Sequence, residues 1–110
     1  MGYEDLKTDL LACEAIPLAE YEWATRPNGN HGVFQIDFDV SRDGGDDFHQ
    51  GLIQEGSLDV YTQGQAPLIW AALEAILNEH CEASWYVNLE ETDQVTKLLR
   101  REYIFQIVEE

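Results

Sequence analysis

Apolar residues recur along this chain with two different periods, and the switches between them mark out its elements. From Tyr3, the positions Tyr3, Leu6, Leu10 and Cys13 follow at helical spacing and predict an amphipathic helix. Asp5 ahead of Lys7 suits the helix dipole, and Pro17 ends the segment by biasing Ile16 away from helical angles. Leu18 to Ala24 then alternates strictly, with Ala19, Tyr21 and Trp23 on one side and Glu20 and Glu22 on the other. That is the pattern of a half-buried strand. Arg26-Pro27-Asn28-Gly29-Asn30 is dense turn chemistry, because Asn-Gly favours positive φ. Alternation resumes over His31 to Val40, with Phe34, Ile36, Phe38 and Val40 facing inward and Gln35, Asp37 and Asp39 outward. The two runs predict a β-hairpin.

Ser41 to Gly51 reads as a long polar loop, in which glycines and like charges both oppose ordering. Leu52 to Gln63 returns to a strand, and Gly64-Gln65 turns. Ala66 to Cys81 is the longest helix, with Pro67 in its first turn and a stripe of Ile69, Trp70, Leu73, Ile76, Leu77 and His80. Ser84 to Glu91, with Trp85, Val87 and Leu89 inward, and Leu98 to Val108 complete the pattern. The last run is apolar on both faces, as a central strand should be. The order helix, three strands, helix, two strands predicts an α+β fold: two helices packed on one face of a mostly antiparallel sheet of about five strands, in a single domain over residues 1–110. The opposite sheet face is expected to be acidic, carrying Glu20, Glu22, Asp37, Asp39 and Glu90.

Charge narrows the function classes. Against 22 Asp and Glu stand 6 Lys and Arg, a formal net charge of −16 in 110 residues. Such a chain repels a phosphate backbone unless its basic residues cluster, and Lys7, Arg26, Arg42, Lys97, Arg100 and Arg101 are scattered, with only the last pair adjacent. Sequence-specific DNA binding and anionic-membrane binding are therefore not expected. No apolar run approaches the roughly 18 residues of a membrane span, and the acidic N-terminus lacks the basic flank of a signal peptide, so export and anchoring are not expected either. Hydrophobic residues at 45% give enough material for a core. Reduced, partly buried thiols are expected at Cys13 and Cys81.

Candidate chemistry is thin. Asp37, Asp39, Ser41 and Asp43 have the spacing that opens an EF-hand loop, but Arg42 occupies the position that requires glycine and no Glu closes the loop. His80-Cys81 with Glu79 and Glu82 beside them lacks any zinc-ligand spacing. Neighbouring helix residues point about 100° apart, so Cys81 and His80 do not face each other as a catalytic pair. No catalytic, cofactor-binding or metal-binding residues are assigned, and an enzyme is not expected. The aromatic set (three Trp, five Tyr, four Phe) is large for a small core, and aromatics are enriched at interfaces. Trp23, Trp85 and Phe34 are expected in the core, and Trp70 and Tyr86 at an interface. Asp43, Asp46 and Asp47 of the polar loop are candidates for a lumen or docking surface. Arg26, Arg42, Arg100 and Arg101 are candidates for bridging to acidic neighbours.

Two stretches together resemble a known family. They are Tyr21-Glu22-Trp23 running through Arg26-Pro27-Asn28-Gly29 into Phe34-Gln35-Ile36-Asp37, and Leu58-Asp59-Val60-Tyr61, helix, Trp85-Tyr86-Val87-Asn88, Tyr103-Ile104-Phe105. The layout is similar to that of the small phage neck proteins, the tail terminators or tail-completion proteins. The resemblance implies a non-enzymatic virion subunit, assembled in the host cytoplasm, that forms a ring, commonly a hexamer. Its partners would be the tail tube protein and the head-completion or connector proteins. An acidic lumen would let DNA pass without specific binding, since it repels phosphates within the ~8–10 Å screening length. The rival class is an acidic DNA mimic that blocks a nucleic-acid-binding protein, which requires carboxylates gathered along one elongated face.

Overall fold

The computed structural model describes residues 2–40, 52–81 and 84–109. The elements run α1 (Tyr3–Leu11), β1 (Leu18–Glu20), β2 (His31–Val40), β3 (Leu52–Thr62), α2 (Pro67–Cys81), β4 (Trp85–Thr92) and β5 (Leu99–Glu109). The strands form one sheet in the order β1-β2-β3-β5-β4, antiparallel in every pairing except β1 with β2. This is the α+β arrangement that the change of period predicts. Helix α1 supplies Tyr3, Leu6 and Leu10 to the core, and α2 supplies Trp70, Leu73, Leu77 and Cys81. The sheet answers with Phe34, Leu58, Val60, Tyr103, Phe105 and Ile107.

Register explains why those residues meet. Phe34, Leu58 and Tyr103 stand opposite one another on adjacent strands, and Ile36, Gly56 and Phe105 form the next row. Gly56 is required in that row, because a Cβ there would strike the Gln35 carbonyl oxygen and the Phe105 ring. The glycine thus makes room for an aromatic side chain from the neighbouring strand.

The expected β1–β2 hairpin does not form. β1 is only three residues long and lies parallel to β2, with Leu18 opposite Gly32 and Glu20 opposite Phe34. The chain leaves the sheet at Tyr21, whose φ of 69° puts a bulky residue in the left-handed region. Residues 21–30 then carry it back to the start of β2, the return that parallel neighbours need. The sequence misleads because alternation continues past the end of the strand into this connection.

Two bulges change which side chains face the helices. β2 shifts register between Ile36 and Phe38, so Phe38 pairs with Glu55 on the open face and is 54% exposed, not inward as its alternation suggests. β4 shifts between Val87 and Leu89, which turns Leu89 to the open face opposite Glu102. One inserted residue reverses every later side chain in a strand. The acidic face is corrected too, at Glu20 by the parallel register of β1 and at Asp39 and Glu90 by the bulges. Glu20 lies on the helix side, where it accepts a hydrogen bond from Tyr3 Oη at 2.6 Å and pairs with Lys7 Nζ at 2.9 Å. Glu90 also turns to that side and pairs with Arg101, and beyond its bulge Asp39 pairs with Gln54 there. Glu22 leaves the sheet with the connection, and Asp37 keeps its place beside Gln35. The open face is acidic chiefly through other residues: Glu55, Asp59, Glu91 and Glu102.

Candidate functional site

Strand period sends the adjacent Arg100 and Arg101 to opposite faces of β5. On the open face Arg100 donates from Nε and Nη2 to Asp59 Oδ1 at 3.2 and 3.1 Å, and its Nη2 lies 3.5 Å from Glu102 Oε2. Asn88 Nδ2 donates to the other Glu102 oxygen at 2.9 Å. Removal from water pushes the Asp59 carboxyl above its usual range, while the Arg100 charge pulls it back. On the helix side Arg101 donates from Nη1 to Glu90 Oε2 at 2.7 Å and from Nη2 to Glu74 Oε2 at 3.3 Å. Its Nε donates to Tyr103 Oη at 2.9 Å, and Tyr103 in turn donates to Glu74 at 2.6 Å. Both arginines expected to reach acidic neighbours are therefore matched by carboxylates of their own chain.

Trp70, expected at an interface, belongs to the core. It is 7% exposed, and the Arg101 guanidinium lies 4.4 Å from its ring centroid. The helical stripe already placed it among Leu73 and Leu77, and burial follows that stripe. Tyr86 is on the open face and 56% exposed. With Phe38 and Val108 it is one of the large apolar side chains left in solvent there. Asp43, Asp46, Asp47 and Arg42 lie outside the described residues.

The fourth arginine, Arg26, belongs to a cleft of about 210 Å³ at one corner of the open face, where the β1–β2 connection folds over the start of β2. Tyr21, Glu22, Trp23, Arg26, His31 and Tyr61 line it, together with Val33. Trp23, expected in the core, is half-buried here, and its Nε1 donates to the Gly32 carbonyl at 3.0 Å. His31 is buried (1% exposed) and stacks on Tyr61 with ring centroids 4.9 Å apart. Its Nδ1 is 2.8 Å from the Gly29 carbonyl oxygen, which can only accept, so Nδ1 carries the proton. Nε2 is then a lone pair, and it accepts from Arg26 Nε at 3.0 Å. The Arg26 guanidinium lies 4.6 Å from the Tyr61 centroid. Sequence reasoning misses this cluster, because alternation presents the two runs as a hairpin. The signal available is Trp23, Arg26 and His31 close together around turn residues.

Among the described residues, Asp9, Glu79 and His80 bring ligand-type atoms within 4.8 Å of one another. Sequence spacing places Glu79 beside His80 but not Asp9, which arrives through the contact between α1 and α2. His80 Nε2 and Asp9 Oδ2 already satisfy each other at 2.7 Å. Cys81 is buried and free, and burial pushes its thiol up to about 12. That is the opposite of what a nucleophile needs. No described helix is long and apolar enough to cross a membrane.

The described residues thus define a two-layer α+β chain with a mixed apolar and acidic open sheet face and an aromatic cleft at its corner. The fold is similar to that of a chain in the solved virion of the native gene transfer agent (GTA) particle. The two are 12% identical with a TM-score of 0.51, over 90% of this chain and 81% of that one. No protein-family model matches the chain, and no curated protein matches it.

Proposed function

We propose that this chain is a structural protein of a phage-like virion, and within that class a ring-forming tail terminator or tail-completion subunit at the head–tail junction. The observation that carries this reading is the fold shared with a virion chain over nine-tenths of the length. The element order, which resembles that of the neck proteins, agrees with it, helices and sheet alike. Charge supports the role. Lys7, Arg100 and Arg101 are each tied to carboxylates of their own chain, so little positive charge is left to hold nucleic acid. DNA would then pass through such a ring without being bound, and the subunit would act through surfaces, not catalysis.

The distribution of acids favours a ring over a DNA mimic. Among the described residues, exposed carboxylates stand on α1 (Glu4), near the end of α2 (Glu79) and on the helix side of β4 (Glu90) as well as on the open face (Asp37, Glu91), so they are not confined to one elongated face. Light scattering with negative-stain imaging of the purified chain tests the proposal. Closed rings, with six subunits the expected number, or attachment to tail tubes would support it. Monodisperse monomers that do neither would overturn it and favour the inhibitor.

A further inference from the structure

We infer that the cleft around Arg26 is a carboxylate-binding site whose occupant is an acidic side chain from a second copy of this chain. The inference deepens the assembly reading and rests on it. Lys7 pairs with Glu20, Arg100 with Asp59 and Glu102, and Arg101 with Glu74 and Glu90. Arg26 pairs with no carboxylate of the described residues, although Glu22 lines the same cleft. Asp93 senses its charge only through space, with its own hydrogen bonds committed to Thr96. An unmatched guanidinium is conspicuous in a chain with a formal charge of −16.

That guanidinium is also held in place. Its Nε–H is fixed on the His31 lone pair, and its plane is steadied over Tyr61. Of five N–H donors one is used, so the Nη fork remains for a planar, two-oxygen acceptor. His31 cannot move to free it, because its other nitrogen is bound to Gly29 and its ring is buried. Tyr21 and Trp23 wall the cleft, and Tyr21 does so from a left-handed backbone that a bulky residue seldom adopts. The cleft is open, with Arg26 exposed and Tyr21 57% exposed, so a carboxylate from outside can reach the Nη fork. A volume of about 210 Å³ exceeds the ~30 Å³ share of a water molecule severalfold, which leaves room for a carboxylate and its stem.

A second copy is the source that the charge selects, since each copy presents carboxylates far in excess of its basic residues. Where the acid lies on a patch other than the cleft, the contact is head-to-tail, and a ring forms if the rotation between copies closes. An acid of the cleft itself, Glu22, would give a two-fold pair instead.

Sedimentation velocity on the full chain, across a concentration series at low and high salt, tests this. Arg26→Gln is expected to weaken self-association about ten- to a hundredfold. Lys97→Gln removes the same charge from a connection outside the cleft and is expected to change association by no more than about twofold. Arg26→Lys keeps the charge and loses the fork, so it too is expected to weaken association, and it replaces the Gln variant should that one lack the parent's circular dichroism. Association undiminished in the Arg26 variants, or weakened equally by Lys97→Gln, overturns the site and leaves self-assembly standing. A parent chain that is monomeric at every concentration removes the assembly reading, and the occupant with it.

Discussion

Glu20 shows how one side chain can tie a helix to a sheet edge and set a response to acid. The Tyr3 hydroxyl and, after it, the Lys7 ammonium hold its carboxyl below the usual range. A carboxyl depressed in the folded state stabilises fully above its unfolded value of about 4.3. That contribution disappears as pH falls through the lower folded value. Asp59, raised by burial, works with the opposite sign, and its contribution is lost as pH rises. Glu20→Gln is therefore expected to lower the thermal midpoint at pH 7 and to flatten its decline between about pH 5 and 3, read from a melting series. An unchanged acid limb would show that Glu20 does not set it. The two thiols give a second check. Cys81 is buried with its thiol pushed up to about 12, whereas Cys13 is only partly buried. A chromogenic disulfide reagent at about pH 8 should label Cys13 quickly and Cys81 only at the rate of opening. Equal rates would show that Cys81 is not covered.

Each strand depends on backbone details that side-chain alternation does not encode. In β3, Gly56→Ala forces a methyl group against the Gln35 carbonyl and the Phe105 ring, and the expected cost is about 1–3 kcal/mol in urea unfolding. In β2, Phe38→Ser should leave stability within about 0.5 kcal/mol, because the bulge has already put this ring in water. A large loss there would mean that Phe38 packs inward, as the uninterrupted pattern suggests. Periods of apolar residues make α2, β3 and β5 legible to within a residue or two, since each is long and buried on a continuous side. The bulges at Ile36/Phe38 and Val87/Leu89 are not legible, because one extra residue leaves composition and propensity unchanged. The parallel β1 is hidden for a related reason: Tyr21 and Trp23 continue the alternation, and only the positive φ at Tyr21 ends the strand. The cleft depends on that reversal, so it is lost with it, as is the Asp9–His80 contact between helices far apart in sequence.

At the level of the complete chain, Lys7, Arg100 and Arg101 serve internal structure, and acidic residues far outnumber basic ones. Added salt should ease repulsion between copies and leaves contacts of the exposed Phe38, Tyr86 and Val108 unscreened, so assembly is expected to strengthen between about 0.05 and 0.5 M salt even though the Arg26 ion pair is partly screened. Light scattering reads this directly, and weakening instead would show that screening of ion pairs between copies outweighs the relief of repulsion. The shortness of β1 has one more consequence. It covers β2 only from Gly32 to Phe34, so beyond that point, among the described residues, the strand's outer hydrogen-bonding groups meet no partner. Edges of this kind invite strand-on-strand stacking. What restrains it in a lone subunit is mutual repulsion, which vanishes near the isoelectric pH of about 4.2. Turbidity and a rise in amyloid-dye fluorescence are expected there, with solubility regained on return to neutral pH.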